Sequence, residues 1–134
     1  MKRPDEYARN LLRKARDDAL IVKRAIDDLD FADWVVGFHA QQAVEKAVKA
    51  VLSCKEVEYP HTHSIERLLQ LLMEFALPPP PDRRELARLS QFAGDIRYGA
   101  RRDFEPAESI DRAWALECVE RTLTWAEAVL GKNL

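Results

Sequence analysis

Glycine is scarce in this chain, with four among 134 residues. A loop that cradles phosphate on backbone N–H groups needs several glycines within a few positions, and no such cluster occurs. The two cysteines, Cys54 and Cys118, stand far apart and neither belongs to a Cys-x-x-Cys pair. They therefore read as small core or surface thiols, outside any disulfide scaffold or redox motif. No window approaches the ~18 apolar residues of a membrane span. Even the most apolar stretch, Phe31 to His39, contains Asp33. The opening Met1-Lys2-Arg3-Pro4-Asp5-Glu6 leads into no apolar segment, so nothing resembles a signal peptide and a cytoplasmic location is expected. Charge of one sign is lacking too: 21 Lys and Arg face 23 Asp and Glu, for a net charge of −2. Without a global positive field, any phosphate binding must come from a local cluster of Arg or Lys.

What remains is a helix-forming mixture, 47% hydrophobic and 33% charged, in a chain close to the ~150 residues of one typical domain. We therefore expect one domain over residues 1–134. The first amphipathic pattern runs from about Asp5 to Leu29 through Leu11, Leu12, Ala15, Ala19, Val22, Ala25, Ile26 and Leu29. Asp30 is a candidate N-cap for a second helix, about Phe31 to Cys54, whose stripe Val36, Ala40, Ala43, Val44, Ala47, Val48 and Val51 shares one face. Lys55 to Thr62 reads as a loop around Tyr59-Pro60. Ser64 then caps a third helix, roughly Ile65 to Ala76, with Ile65, Leu68, Leu69, Leu72 and Phe75 inward. The run Pro78 to Pro81 cannot donate backbone hydrogen bonds and serves as a stiff spacer. Asp82 and Glu85 resemble a capping box opening a fourth helix to about Tyr98, through Leu86, Leu89, Phe92, Ala93 and Ile96, with Gly99 as its stop. Pro106 suits the first turn of a last helix, about Ala107 to Leu130, ended by Gly131. No strand pattern and no repeat occurs. The expected fold is all-α, an antiparallel up-and-down bundle of four to five helices with a long central hairpin.

Three polar groups stand apart from this core. On the second helix, Gln41, Glu45 and Lys49 form one row, with Gln42 and Lys46 beside it. This face either binds a ligand or holds a solvated Glu45–Lys49 pair, worth about 0.3–0.5 kcal/mol, with the glutamines tying helix to helix. His61 and His63 lack the further ligands that zinc requires, so no metal and no cofactor is expected, and His63 suits a helix end. The third group is Arg97, Tyr98, Arg101 and Arg102. Three guanidiniums within six residues can fork onto phosphate oxygens, and Tyr98 offers an aromatic face for a base. The alternative is that Asp95, Asp103 and Glu105 neutralise the cluster and Arg97 anchors a structural ion pair.

The segment Trp34 to Leu52, with its pattern Phe38-x-x-Gln41-Gln42-x-x-Glu45-Lys46-x-x-Lys49, followed by Thr62-His63-Ser64-Ile65 and Ile96-Arg97-Tyr98, resembles the HEPN family (higher eukaryotes and prokaryotes nucleotide-binding). The resemblance covers most of the chain. It implies a homodimeric HEPN-like helical bundle, often encoded beside a minimal nucleotidyltransferase in a toxin-antitoxin or nucleotide-modifying pair. Some relatives are metal-independent ribonucleases that use an Arg, four to six intervening residues and a His, in some cases with a Tyr two positions after the His. Arg97 matches that Arg. Arg102 stands where the His would be, Phe104 where the Tyr would be, and no His follows His63. A guanidinium with a pKa above ~12 cannot take and return a proton near neutral pH, although it can stabilise phosphate charge. The expected function is nucleotide or RNA phosphate binding through Arg97, Tyr98, Arg101 and Arg102 without catalysis. The alternatives are a metal-independent endoribonuclease, with His39, His61 or His63 supplying the base, and a purely structural dimerisation module.

Overall fold

The computed structural model describes residues 4–93 and 109–131. Among them lie five α-helices and no strand: α1 (Pro4–Arg24), α2 (Asp33–Cys54), α3 (Ile65–Glu74), α4 (Arg83–Ala87), which continues as a 3-10 turn (Arg88–Ser90), and α5 (Arg112–Gly131). Side-chain pairs fix their directions. Asp18 of α1 meets both His39 and Lys46 of α2, so these two helices form an antiparallel hairpin about the turn at residues 25–32. Arg112 at the start of α5 meets that turn, and Glu127 near its end meets Arg16, so α5 runs against α1. Asp82 reaches Arg121 and Glu85 reaches Trp114, which runs α4 against α5. The order α1, α2, α4, α5 is therefore up, down, up, down, with α3 packed on the side.

α2 is the buried axis. Val36, Ala40, Ala43, Val44, Ala47, Val48 and Val51 are all buried as their spacing predicts, and Ala50 and Leu52 join them. Alanine at four of these positions keeps the side chains short, so α1 and α5 approach α2 closely. Gly37 extends this principle to α4's continuation: a Cβ placed there would overlap the Phe92 ring, within 2.6 Å of Cγ. Gly37→Ala is expected to cost about 1–3 kcal/mol by overpacking, read as a lower urea midpoint. Shrinking the ring with Phe92→Leu in the same chain should recover part of the loss, and independent, additive effects would contradict the contact.

The helix ends depart from the sequence pattern in several places. α1 stops at Arg24, not near Leu29, and Leu29 is 90% exposed. Asp30 does not cap α2; its backbone N–H donates to Asp28 Oδ1 at 2.9 Å in a local turn, and the cap position is Ala32 without a side-chain bond. Ser64 caps α3 as expected, its Oγ accepting from the Arg67 N–H at 3.2 Å. α3 ends at Glu74, which leaves Phe75 outside, 55% exposed. Glycine's scarcity shows at these exits. Glu56 and Ala76 take the left-handed conformation after α2 and α3, while Val57 N–H donates to Leu52 O and Leu77 N–H to Leu72 O, both at 2.9 Å. These are Schellman closures made with residues that glycine usually replaces.

Asp82 and Glu85 form no capping box: Asp82 is left-handed and its carboxylate pairs with Arg121, while Glu85 accepts from Trp114 Nε1 at 3.0 Å. Leu86, Leu89, Phe92 and Ala93 are buried as the periodicity requires. The expected extension to Tyr98, the stop at Gly99 and the Pro106 start lie outside the described residues. α5 begins at Arg112, later than expected, because Asp111 Oδ1 accepts from the Trp114 backbone N–H at 3.0 Å and caps the helix there. Gly131 is still within it. In the proline run, the Pro78 carbonyl accepts from Trp125 Nε1 at 3.1 Å, which ties the spacer to α5.

Candidate functional site

A polar band wraps α2, and its organisation follows from helical spacing. Gln41, Glu45 and Lys49 lie one turn apart in a row, as the sequence predicts: Gln41 Nε2 donates to Glu45 Oε1 at 2.8 Å and Lys49 Nζ to Glu45 Oε2 at 2.8 Å. The environment is not the solvated one expected of such a pair. Gln41 is fully buried and Glu45 only 3% exposed, because the loop leading into α3 folds across them. From that loop His63 Nδ1 donates to the Glu45 carboxylate at 3.0 Å, and the His63 carbonyl accepts from Gln41 Nε2 at 2.9 Å. His63 thus anchors the loop to α2 and leaves the capping of α3 to Ser64. Gln42 Nε2 donates to Gln41 Oε1 at 2.7 Å.

Burial pushes the Glu45 carboxyl upward, but the hydrogen bonds from Lys49 and Gln41, the Lys49 charge and the His63 bond outweigh it and leave its pKa below the usual 4.5. The carboxylate is thereby held ionised, and it organises the two helices and the loop.

The second half of the band faces α1. Asp18, buried on the apolar stripe of α1, accepts from His39 Nδ1 at 2.8 Å and from Lys46 Nζ at 2.6 Å. Lys46, expected on a binding face, is therefore committed to a partner helix. Asp18 belongs to none of the three polar groups, although its spacing carries the signal: a carboxylate three residues after Ala15 and four before Val22 falls on the buried face. Taken together, the band carries two imidazoles, His39 on α2 and His63 on the loop before α3, each oriented by a carboxylate from another element. A carboxylate on one ring nitrogen fixes the orientation of the imidazole. His39 is 24% and His63 38% exposed at the side chain, so both rings reach solvent.

Arg112 is a residue that local patterns did not single out. Its Nη1 donates to the carbonyls of Ala25 at 2.5 Å and Asp28 at 2.9 Å, its Nη2 to the Phe31 carbonyl at 2.5 Å and to Asp33 Oδ1 at 3.1 Å. It closes the α1–α2 turn from outside. Cys118 is buried; burial first, then Glu85, Asp82 and Glu117, push its thiol up to about 11, which leaves it protonated and unreactive at neutral pH. Among the described residues no group of three or more His, Cys, Asp or Glu is placed to hold a metal ion. Among them no helix is long and apolar enough to cross a membrane.

Arg97, Tyr98, Arg101 and Arg102 lie outside the described residues, as do Asp95, Asp103, Phe104 and Glu105. Phe92, packed on Gly37, precedes that segment, and Ser109 with the Asp111 cap follows it.

The comparisons with known proteins agree with this architecture. No curated protein matches the chain. The crystal structure of an archaeal HEPN homologue superposes with a TM-score of 0.71 at 25% identity, over 97% of this chain and 99% of that one. The HEPN domain model matches residues 8–129, nearly the whole helical bundle and the polar band of α2 with it, and the chain belongs to the HEPN family.

Proposed function

We propose that the chain is a single HEPN domain that binds the phosphate of a nucleotide or RNA through Arg97, Arg101 and Arg102, with Tyr98 beneath a base. It acts without cleaving, as a homodimer beside a minimal nucleotidyltransferase in a toxin-antitoxin or nucleotide-modifying pair. The observation that carries this reading is Arg102 in the position that ribonuclease relatives give to histidine, five residues after Arg97. The site keeps three phosphate forks and has no proton shuttle of its own. The α2 band supports this placement indirectly, because Gln41, Gln42, Glu45, Lys46 and Lys49 satisfy one another, Asp18 and His63 and leave ligand binding to the Arg segment.

Titration of ATP and of a short RNA into the purified protein at two salt concentrations tests the reading. Binding that weakens with salt and is lost in Arg97→Ala is expected; absence of binding at low salt, or indifference to that substitution, overturns it.

The two carboxylate-held histidines favour one second reading, a metal-independent endoribonuclease in which His39 or His63 takes the proton from the 2′-hydroxyl. Cleavage of RNA in EDTA to 2′,3′-cyclic phosphate ends, abolished by His39→Ala or His63→Ala, would select it. A dimer that ignores nucleotides altogether would leave only an assembly role.

A further inference from the structure

Between α3 and α4 lies a groove of about 710 Å³, and its charge is unlike that of the chain as a whole. Four arginines line it, Arg67 from α3 and Arg83, Arg84 and Arg88 from α4 and the 3-10 turn, against a single carboxylate, Glu66. The protein's net charge is −2, so this concentration of guanidinium is a local feature. Three of the four are weakly held. Arg67 stands 3.8 Å from Glu74, and Arg83 donates to the Met73 thioether, a poor acceptor. Arg84 makes no ion pair among the described residues, whereas Arg88 is the better held, reaching both Glu85 oxygens at 3.3 Å and lying 4.8 Å over the Trp114 ring. Each retains N–H donors for a stronger acceptor, and Arg places them in a planar fork matched to phosphate.

The groove also adjoins a neighbouring cleft through a shared residue, Arg88. Arg88 lines a second cleft together with Phe92 and Ser109, the residues that flank the Arg97 segment in the chain. From these observations we infer that the α3–α4 groove is a second anion subsite, which takes the sugar–phosphate backbone of a single RNA strand. The ligand of this domain is then a polymer and not a free nucleotide, a step that rests in part on the phosphate-binding reading of Arg97. One feature favours polynucleotide over an acidic peptide helix. A docked helix needs apolar anchors at successive turns, and the groove exposes one large apolar side chain, Met73, with Leu69 buried at 4%. No aromatic ring lines it, so it offers no base-stacking platform and binds backbone without regard to sequence.

The test uses fluorescein-labelled oligouridines of about four and about 12 nucleotides, with ATP alongside, against the full chain. Arg83 and Arg84 are exposed, so the double variant Arg83→Ser/Arg84→Ser should fold, which its thermal melt will verify. We expect the longer strand to bind at least about tenfold more tightly than the shorter, and the double variant to remove that gain. Its salt dependence should flatten by about 0.7 in the log–log slope per lost phosphate contact. ATP and the short strand should be unaffected by the double variant. A longer strand that binds no better than the short one, or as well to the variant as to the parent, overturns the subsite. Stronger binding of a polyglutamate peptide of equal charge than of oligouridine overturns the polynucleotide assignment in favour of an acidic protein. The two readings separate cleanly. Loss of ATP binding in Arg97→Ala with the length gain absent sinks the groove alone, whereas a length gain lost in the double variant without any ATP binding sinks the Arg97 reading alone.

Discussion

Replacing Arg112 by alanine should lower stability by about 3 kcal/mol, which corresponds to a fall in melting temperature of about 10 °C for a domain of this size. The guanidinium serves the carbonyls of Ala25, Asp28 and Phe31 and the Asp33 carboxylate at once. Those carbonyls lie just past the α1 helix and in the turn that follows, where the Ala25 and Asp28 oxygens otherwise accept only from the turn N–H groups of Asp28 and Phe31 at 3.2 Å. With only 13% of the Arg112 side chain exposed, water does not replace all of these bonds when the side chain is removed. Lysine is not an adequate substitute, because one ammonium cannot span acceptors arranged around a planar fork. Arg112→Lys should therefore recover less than half of the loss in urea unfolding. An alanine variant within about 1 kcal/mol of the parent would show that the turn closes by itself.

Glu45→Ala should have an effect of similar size, about 3 kcal/mol, because it leaves Lys49, Gln41 and His63 without the acceptor that all three share. This interaction also has a pH signature. The carboxyl's pKa is lowered in the folded protein, so the unfolded chain binds its proton more readily. The contribution is fully present above the ordinary value of 4.5 and is lost as pH falls below it through the folded value. Glu45→Gln keeps an acceptor oxygen but has no proton to take up. The stability difference between parent and Glu45→Gln should be constant from neutral pH to about pH 5 and shrink at lower pH. A difference that grows on acidification would reverse the assignment.

These two residues show where reading from sequence succeeds and where it stops. The pattern Phe38-x-x-Gln41-Gln42-x-x-Glu45-Lys46-x-x-Lys49 places the three members of the Glu45 row correctly, since one helical turn brings them together whatever surrounds them. It cannot say that the row is dry. That depends on the His63 loop, which arrives from 18 residues away and turns a surface pair into a buried anchor. Asp18 is a similar case: its place on the apolar stripe is visible, but its partners His39 and Lys46 appear only once α2 is packed against α1.

Helix identity, the all-buried stripe of α2, the Ser64 cap and the family motif were determined by the amino-acid order alone, because each rests on neighbours within one or two turns. Tertiary structure decided where α1 ends, which polar groups leave water and which backbone a ring may touch. The carbonyls past α1 are satisfied by a side chain 81 to 87 residues later, and the missing Cβ of Gly37 acquires meaning only when Phe92 lies on it. Periodicity reports the face a helix turns inward. The donors, acceptors and volumes it meets there are supplied by distant parts of the chain, and only packing brings them into contact.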